Sequence, residues 1–323
     1  MRFGILGAAR IVPNALITPA HKVPEVQVTA IAARDPNRAQ EFAEIHGIPR
    51  VLASYSDLIA DPEIDVIYNP LPNSLHCEWT ILALRAGKHV LCEKPLASNA
   101  LEAERMAKTA EETGMLLGEA FHYCYHPLAD RVREILRDGT LGRLLHLEAN
   151  FSVPIPPPNI RFEWLLAGGA TMDLGCYPLH MIRYFSGLTP QVTNATARLG
   201  PPNIDIAMQT DLELARGITA RISCSMAADA VLGASFSAHG ERGELKVTNP
   251  VGPHWGHLLT IKTAAGEINE TVAGETTYTY QLRAFVAALR GEGSFPTDGA
   301  EGVINMRVID EVYRAAGLPP RGT

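Results

Sequence analysis

The sequence lacks three features that would assign it to common functional classes. No apolar run approaches the ~18 residues that a membrane-spanning helix needs. No basic run is present and the formal net charge is -7, which speaks against nucleic acid as a partner. The five cysteines are scattered without a CxxC pair, so neither a zinc site nor a disulfide framework is indicated. We therefore expect no membrane, no nucleic acid and no metal ion.

What is present is an ordinary globular composition, with 46% hydrophobic and 20% charged residues in a chain of 323. This length exceeds a single ordinary core and predicts two domains, over residues 1–121 and 122–323. A strand predicted over 2–8 follows Met1 at once and leaves no room for a signal peptide. We expect a cytoplasmic protein.

The first domain alternates apolar strands with amphipathic helices, a pattern typical of parallel βαβ units. It predicts an α/β fold, namely a Rossmann-type doubly wound parallel sheet. The predicted strands are 2–8, 26–33, 65–68, 88–92 and 115–119, and the predicted helices are 36–46, 75–86 and 100–113.

A turn of small residues follows the first strand and reads Gly7-x-Ala9-x-x-Val12. It is similar to the dinucleotide fingerprint G-x-G-x-x-G, whose small residues let the backbone approach a pyrophosphate at a helix N-terminus. A tight strand-to-helix turn without a ligand is the alternative. The expected cofactor contacts in this turn are Gly7, Ala8, Ala9, Arg10 and Ile11.

The second strand ends in Ala33-Arg34-Asp35, about where a ribose-reading residue belongs. A small residue followed by arginine suits the 2'-phosphate of NADP, whereas a carboxylate would bind the 2'-hydroxyl of NAD. NADP is favoured over NAD. Asp35 keeps NAD open, because a shift of one residue would place its carboxylate at the ribose.

Two further loops follow predicted strands at the edge where open parallel sheets bind ligands. Residues 69–76 are expected to face the nicotinamide through Pro70, Leu71, Asn73 and His76, with Asn73 or Ser74 capping the next helix. A purely structural turn is the alternative. The run Glu93-Lys94-Pro95 ends another strand, and Glu93 and Lys94 are further expected cofactor contacts. Lys94 is also a candidate for chemistry, with a solvated loop lysine as the alternative.

The second domain contains mostly alternating strand-like runs separated by glycine and proline, which predicts an α+β domain with a mostly antiparallel, open-faced sheet. An open face would leave an apolar patch in water unless subunits cover it. The predicted strands are 143–152, 191–197, 207–214, 218–226, 232–239, 243–248 and 258–262.

A segment early in this domain places Asp173, Tyr177 and His180 on one helical face, with Pro178 expected to kink the helix beside Tyr177. Tyr177 as a buried aromatic with a satisfied hydroxyl, and His180 as a core histidine, is the structural alternative. A free tyrosine, with a pKa near ~10, is a poor base at neutral pH. Lowering that pKa by about three units takes about 4 kcal/mol, which one ammonium group at ~4 Å supplies at a dielectric of ~20. A Lys94 next to Tyr177 would suffice.

Together, Gly7-x-Ala9, Glu93-Lys94-Pro95 and Asp173-Leu174-Gly175-Cys176-Tyr177 resemble the Gfo/Idh/MocA oxidoreductases, in the branch with dimeric dihydrodiol dehydrogenase and NADP-dependent D-xylose dehydrogenase. The resemblance implies a Rossmann domain, hydride transfer with NADP, and a homo-oligomer, dimer or tetramer, paired through the open sheet. It also implies that Tyr177 transfers the proton, that Lys94 tunes it and binds substrate, and that Asp173 is the acidic partner. His180 stands where many relatives have aspartate.

Two departures bear on the substrate: Cys124 stands where relatives commonly carry arginine, and His122 replaces a usually apolar residue. We predict an NADP-dependent dehydrogenase or reductase acting on a secondary alcohol or carbonyl of a sugar, polyol or cyclic trans-diol. A dinucleotide-binding sensor and a hydrolase that uses the nicotinamide transiently are the alternatives. The expected substrate contacts are Lys94, His122, Phe162, Trp164, Tyr177 and His180.

Overall fold

The structure is a computed structural model that describes residues 1–201 and 203–322. The chain divides into two compact units, one of residues 1–121 and 278–303, the other of residues 122–277 and 304–323. In the part of the chain described, every helix is too short or too polar to cross a membrane.

The first unit contains a six-stranded parallel sheet in the order β3-β2-β1-β4-β5-β6, the order of a Rossmann fold. The predicted parallel α/β sheet is confirmed. Its strands are β1 (Arg2–Leu6), β2 (Gln27–Ala32), β3 (Arg50–Val51), β4 (Val66–Asn69), β5 (His89–Cys92) and β6 (Leu117–Glu119). Its helices are α1 (Thr18–Ala20), α2 (Pro36–His46), α3 (Tyr55–Ala60), α4 (Asn73–Arg85) and α5 (Ala100–Thr113).

Three local features of this unit differ from expectation. β3 and α3 were not predicted, because a strand of two residues and a helix of six have too little hydrophobic periodicity to be recognised in a sequence. The prediction that Asn73 or Ser74 caps α4 is wrong. The helix already includes Asn73, and its cap position is Pro72, which makes no side-chain cap hydrogen bond.

The second unit contains an eight-stranded sheet in the order β14-β13-β12-β11-β7-β10-β9-β8. Neighbouring strands are antiparallel except β7 and β10, which confirms the predicted mostly antiparallel sheet. Its strands are β7 (Leu144–Ser152), β8 (Gln191–Gly200), β9 (Ile204–Leu214), β10 (Ile218–Ser225), β11 (Gly233–Gly240), β12 (Gly243–Thr248), β13 (Leu258–Thr263) and β14 (Gly266–Glu270). The remaining helices are α6 (Pro127–Arg137), α7 (Cys176–Ser186), α8 (Thr277–Leu289) and α9 (Gly299–Ala315).

The predicted continuous second domain over 122–323 differs from the observed division, because residues 278–303 pack with the first unit. The Phe285 ring of α8 lies 6.4 Å from Phe3 in β1. Thr297 accepts a backbone hydrogen bond from Glu119 at 2.7 Å and returns one from its hydroxyl to the Glu119 carbonyl at 2.6 Å. The bonds of Thr297 lie at the edge strand β6, the ring of Phe285 packs against the central strand β1, and nothing local in the sequence signals either contact.

One face of the large sheet is covered by α7, and along β10 the residues alternate strictly between buried and more exposed positions. The expectation that the other face is apolar is wrong. Its residues on β9 and β10 are largely charged or hydroxyl-bearing, as in the Arg221–Asp211 ion pair at 2.7 Å. The outward positions of β10 are Thr219, Arg221, Ser223 and Ser225.

Candidate active site

The glycine turn after β1 has the geometry that a dinucleotide needs. Gly7 has φ +88°, and its N–H donates to the Ala32 carbonyl at 2.6 Å. A Cβ at this position would lie 3.0 Å from Leu71 Cδ2. The positive φ favours glycine here, and a tight turn of this kind can bring its backbone close to a phosphate group. Ala8, Ala9 and Ile11 are half-buried and Arg10 is exposed.

Arg34 and Asp35, the two residues predicted to contact the ribose, lie in different surroundings at the tip of β2. The Asp35 carboxylate is the N-cap of α2 and accepts from the Asn37 N–H at 2.9 Å. Arg34 is exposed at the strand tip, next to half-buried Ala33. Sequence reasoning missed Arg38, whose Nη2 donates to the Ala8 carbonyl at 3.3 Å. Two arginines, Arg34 and Arg38, therefore lie near this tip, and its one carboxylate is engaged in capping the helix.

The loop after β4 is held by buried polar side chains. Asn69 accepts from the Leu71 N–H at 3.3 Å and donates to Thr80 Oγ1 at 3.1 Å. The His76 ring lies between two carbonyls, with Nε2 2.8 Å from the Leu71 oxygen and Nδ1 2.9 Å from the Pro95 oxygen. Burial lowers the pKa of His76 to about 4, so the ring is neutral at neutral pH. It joins this loop to the one after β5.

His76 has no exposed surface, and its predicted contact with the cofactor stays a prediction. Of the other residues predicted in this loop, Pro70 and Leu71 are buried and Asn73 is half-buried.

The Glu93-Lys94-Pro95 loop is fixed on both sides of Lys94. The Glu93 carboxylate accepts from the Tyr68 hydroxyl at 2.7 Å, and burial, with this carboxylate, raises the pKa of Tyr68 well above its usual value. The N–H of Leu96 donates to the Glu119 carboxylate at 2.8 Å. Lys94 is half-buried between these two anchors. All of these loops lie at the carboxyl ends of the parallel strands, where doubly wound sheets bind their ligands.

In the second unit, the segment before α7 is anchored by a buried network around Asp205. The Asp205 carboxylate accepts from the Thr171 N–H at 2.7 Å and from the Tyr313 hydroxyl at 3.1 Å. It also forms an ion pair with Arg321, and neither of these two side chains has exposed surface. Gly169 has φ +137°, and a Cβ there would lie 2.2 Å from Asp205 Oδ1, so only glycine fits.

Arg321 ties the C-terminal end of the described chain to this segment. Its Nε donates to the Gly168 carbonyl at 2.7 Å. The guanidinium carbon lies 4.3 Å from the Trp164 ring centre and 4.4 Å from that of Tyr313. Trp164, predicted as a substrate contact, is thus also a stacking partner of Arg321. Phe162 is half-buried, and the substrate contacts at both aromatic residues stay predictions.

Asp173 forms an ion pair with Arg161, Nε to Oδ2, at 2.6 Å. Sequence reasoning did not anticipate this partner. A π-helical turn at Thr171–Gly175 precedes α7, so the spacing of four from Asp173 to Tyr177 does not give the single face of a regular α-helix. Pro178 follows this π-helical turn within one continuous helical segment, so the predicted irregularity lies just before Pro178.

The Tyr177 hydroxyl lies 3.1 Å from Nε2 of His122, in the 3₁₀ turn His122–Tyr125. The Nδ1 of the same ring lies 2.8 Å from Thr277 Oγ1. The ring of Phe151 packs edge-on against that of Tyr177, with centres 5.3 Å apart. Tyr177 and His122 are each 4% exposed, so this hydroxyl and ring meet in largely dry surroundings.

A second tyrosine–histidine pair lies beside the first. The Tyr123 hydroxyl is 2.7 Å from Nδ1 of His180, which has no exposed surface. Burial, with the nearby Arg183 charge, lowers the pKa of His180 well below its usual value, so the ring is neutral. A substrate contact at His180 stays a prediction. Cys124 is also buried, and its carbonyl accepts from the Tyr184 hydroxyl at 3.1 Å.

Comparison with known proteins supports the assignment that these two units suggest. Residues 1–121 match the model described as "Oxidoreductase family, NAD-binding Rossmann fold". Residues 129–246 match the model of the "GFO/IDH/MocA C-terminal domain". The chain belongs to the Gfo/Idh/MocA oxidoreductase family. The predicted family and the predicted class of enzyme are confirmed.

Individual Gfo/Idh/MocA relatives share much of the chain. D-xylose 1-dehydrogenase (NADP(+)) 2 from Haloferax volcanii is 36% identical over 98% of this chain and 97% of its own length. Trans-1,2-dihydrobenzene-1,2-diol dehydrogenase from Bos taurus is 34% identical over 77% of this chain and 75% of its own. A 3-ketoreductase from Actinomadura kijaniata, solved with NADP and TDP-benzene, is 28% identical with a TM-score of 0.90, covering 98% and 97% of the two chains.

Family membership does not by itself give roles to individual residues. The catalytic roles predicted for Lys94, Tyr177 and Asp173 stay predictions. So does the predicted approach of Lys94 to Tyr177, two residues that belong to different units.

Proposed function

We propose that the chain is an NADP-dependent oxidoreductase that transfers a hydride between nicotinamide and a carbon of its substrate. That carbon bears a secondary hydroxyl or a carbonyl group in a sugar, polyol or cyclic trans-diol. Tyr177 exchanges the proton. The observation that carries this assignment is the Tyr177 hydroxyl itself, which lies 3.1 Å from an imidazole nitrogen among buried aromatic rings.

The residues of the first unit fit the dinucleotide. The positive φ of Gly7 gives the turn after β1 the tight shape with which a backbone can approach a pyrophosphate. Arg34 and Arg38 supply positive charge for a 2'-phosphate, while Asp35 is engaged as a helix cap. The cofactor named for the Haloferax volcanii relative and the one bound in the Actinomadura kijaniata structure, NADP in both cases, support this choice.

Each of the candidate site residues then has a defined role. When bound, the nicotinamide supplies or accepts the hydride. Tyr177 holds the proton that the substrate oxygen gains or loses. Lys94 binds that oxygen and lowers the cost of the phenolate through its positive charge. Asp173, with Arg161, keeps the segment before α7 in place.

The names of the relatives support this substrate class, since they refer to D-xylose, a trans-dihydrobenzenediol and a didehydro sugar. All are small polar rings or chains with neighbouring oxygens. Phe162 and Trp164, both half-buried, offer the apolar surface against which such a ring packs.

We also propose that the protein is a homo-oligomer, a dimer or a tetramer, paired through the open face of the large sheet. The polar pattern of that face, exemplified by Arg221 and Asp211, favours an interface built from hydrogen bonds and ion pairs.

The test begins with titration of the purified protein with NADPH and NADH by nicotinamide fluorescence, followed by turnover on aldoses, polyols and cyclic trans-diols. We expect Tyr177→Phe to lower kcat by ~10²- to 10⁴-fold while the NADPH Kd stays within about twofold. Tyr184→Phe is the matched control. It removes another hydroxyl from α7, one that donates to a backbone carbonyl, and should keep kcat within about threefold.

The outcomes separate the alternatives. Wild-type turnover in the Tyr177→Phe variant would remove Tyr177 from the mechanism. Failure of the wild-type protein to bind either nucleotide would contradict the proposed function. Tight binding without turnover of any compound would favour a sensor, and turnover without net change of nicotinamide would favour a cofactor-recycling hydrolase.

A further inference from the structure

Three side chains from distant parts of the second unit form a hydrogen-bonded row that ends at Tyr177. His122 stands in the middle, with its Nε2 3.1 Å from the Tyr177 hydroxyl and its Nδ1 2.8 Å from Thr277 Oγ1. Tyr177 is 55 residues away along the chain and Thr277 is 155. Thr277 has no exposed surface. The row therefore extends from the candidate proton donor into the interior.

Both of these partners of His122 are hydroxyl groups, and a hydroxyl can donate or accept a hydrogen bond. A neutral ring keeps both bonds with the proton on either nitrogen, and an imidazolium keeps both by donating twice. The ring can thus gain or lose a proton without losing either of these two bonds.

Two other histidines show the contrast. His257 accepts from the Val272 N–H at 2.9 Å through Nε2, so the proton lies on Nδ1, which donates to the Pro253 carbonyl at 2.9 Å. His76 faces two carbonyls, which only accept. A second ring proton on His257 would break the hydrogen bond that Nε2 accepts. A neutral His76 has one N–H and can donate to only one of its two carbonyl neighbours. Neither pair of partners lets the ring change its protonation state and keep both bonds, as the two hydroxyl partners of His122 do.

We propose that His122 is a proton carrier behind Tyr177, taking the proton in the oxidation direction and returning it in the reduction direction. This inference rests on the proposed function. His122 acts through Tyr177 and is therefore a positioning and relay residue, with Thr277 fixing the orientation of its ring.

The step balances in atoms and electrons. In oxidation, the substrate C–H bond breaks and its hydride, with both electrons, reduces NADP⁺ to NADPH. The substrate O–H bond breaks as the C=O bond forms, and that proton passes to the Tyr177 oxygen. Tyr177 gives its own proton to Nε2 of His122, which becomes an imidazolium. Tyr177 ends neutral, and reduction follows the reverse path.

The relay has a physical advantage over tyrosine alone. A phenolate held among aromatic rings and only 4% exposed carries a large desolvation cost. Passing the proton on at once avoids building up that charge. Histidine suits this task because its ring accepts a proton on one nitrogen while it keeps a hydrogen bond on the other.

The experiment counts the protons that move in the rate-limiting step. Turnover is measured in mixtures of H₂O and D₂O for the wild-type protein and for His122→Gln and His122→Asn. The amide of glutamine reaches about where Nε2 lies and that of asparagine about where Nδ1 lies, and neither amide takes up a proton at neutral pH. Tyr123→Phe is the matched control, because it removes the neighbouring tyrosine–histidine bond from the same 3₁₀ turn and leaves the row intact.

We expect a curved dependence of rate on deuterium fraction in the wild type and in Tyr123→Phe, since two protons move together. For His122→Gln we expect a linear dependence and a kcat lower by ~10- to 10²-fold, with KM and the NADPH Kd changed by less than about threefold. His122→Asn should lose at least as much activity, because it cannot reach the Tyr177 hydroxyl.

Wild-type kcat in His122→Gln, or a linear dependence in the wild type itself, would overturn the relay. The second result needs no variant, so the proposal stays testable even if both substitutions impair folding. If Tyr177→Phe is inactive while His122→Gln is fully active, the relay fails and the proposed function stands. If Tyr177→Phe is fully active, the assignment of Tyr177 fails as well.

Discussion

Replacing Arg321 by methionine tests whether the C-terminal end of the described chain holds the segment before α7. The Arg321 and Asp205 side chains are both without exposed surface. Methionine fills much of the arginine volume but leaves the Asp205 carboxylate without its counter-ion. Breaking a buried pair by removing one partner costs about 3–5 kcal/mol in the free energy of unfolding, since a buried charge is left uncompensated. We expect a loss of that size at pH 7.

The loss should depend on pH in a direction that the structure dictates. Burial raises the pKa of Asp205, while the Arg321 charge and the donors from Thr171 and Tyr313 lower it. Without Arg321 that pKa rises further, so the folded state holds the proton more tightly than the unfolded state does. The variant is then least affected below the unfolded pKa of ~3.9 and loses stability as pH rises through the folded value. The slope cannot exceed about 1.4 kcal/mol per pH unit for one proton.

The assay is urea unfolding at pH 5, 6, 7 and 8, followed by tryptophan fluorescence, to which Trp164 at the Arg321 guanidinium contributes. The double variant Arg321→Met with Asp205→Asn should regain at least about 1 kcal/mol at pH 7, because an amide carries no buried charge. The control is Arg198→Met, which breaks an ion pair with Asp229 whose side chains are 56% and 66% exposed. This exposed pair is screened by water, so Arg198→Met should leave the urea midpoint close to that of the wild type at every pH.

A loss below about 1 kcal/mol for Arg321→Met, or one of equal size from pH 5 to pH 8, would refute the reasoning. Either result would mean that Asp205 is not left as a buried charge when the guanidinium is removed.

Two further predictions concern the cofactor and the open sheet. Arg34→Ala should raise the NADPH Kd by ~10- to 10²-fold and change the NADH Kd by less than about twofold, as expected for one charged hydrogen bond to a 2'-phosphate. An equal loss of affinity for both nucleotides would contradict that role. Sedimentation velocity should show a dimer or tetramer. Arg221→Glu places a second negative charge beside Asp211 on the open face and should shift the protein toward monomer. A monomeric wild type would contradict the proposed assembly.

The elements that the sequence predicted well are those whose pattern is local. The bounds of α2 and α5 agree with the prediction at both ends, because each has a side-chain cap at its start and a left-handed glycine at its end. The loops after the parallel strands were also predicted from a local pattern, because an apolar run that stops abruptly marks the end of a strand.

What the sequence did not predict depends on contacts between distant residues. Arg161 and Asp173 form an ion pair, but nothing in their spacing of 12 marks them as partners within an irregular segment. Arg321 reaches Gly168 across 153 residues and lies in a short tail that looks like an ordinary chain end. The polarity of the open sheet face was misjudged because strands buried on one side alternate whether or not their other side is apolar.

The sequence correctly predicted that Tyr177 and His180 lie near each other on α7, but it did not predict the residues to which they bond. Residues three apart on a helix point to similar directions, so both can meet a single short segment. That segment is the 3₁₀ turn, in which His122 bonds to Tyr177 and the next residue, Tyr123, bonds to His180. The order of histidine and tyrosine is reversed between the two pairs.

The two pairs nevertheless differ in what they can do. Burial lowers the pKa of His180 well below its usual value, which keeps that ring neutral and makes its bond with Tyr123 a packing contact of the core. His122 has a second hydroxyl, that of Thr277, on its far nitrogen, and this bond stabilises the ring in either protonation state. Two tyrosine–histidine contacts in one turn thus provide their own comparison. If the proton moves through His122, removing the Tyr123 hydroxyl must leave the curved deuterium dependence unchanged, while replacing His122 must abolish it.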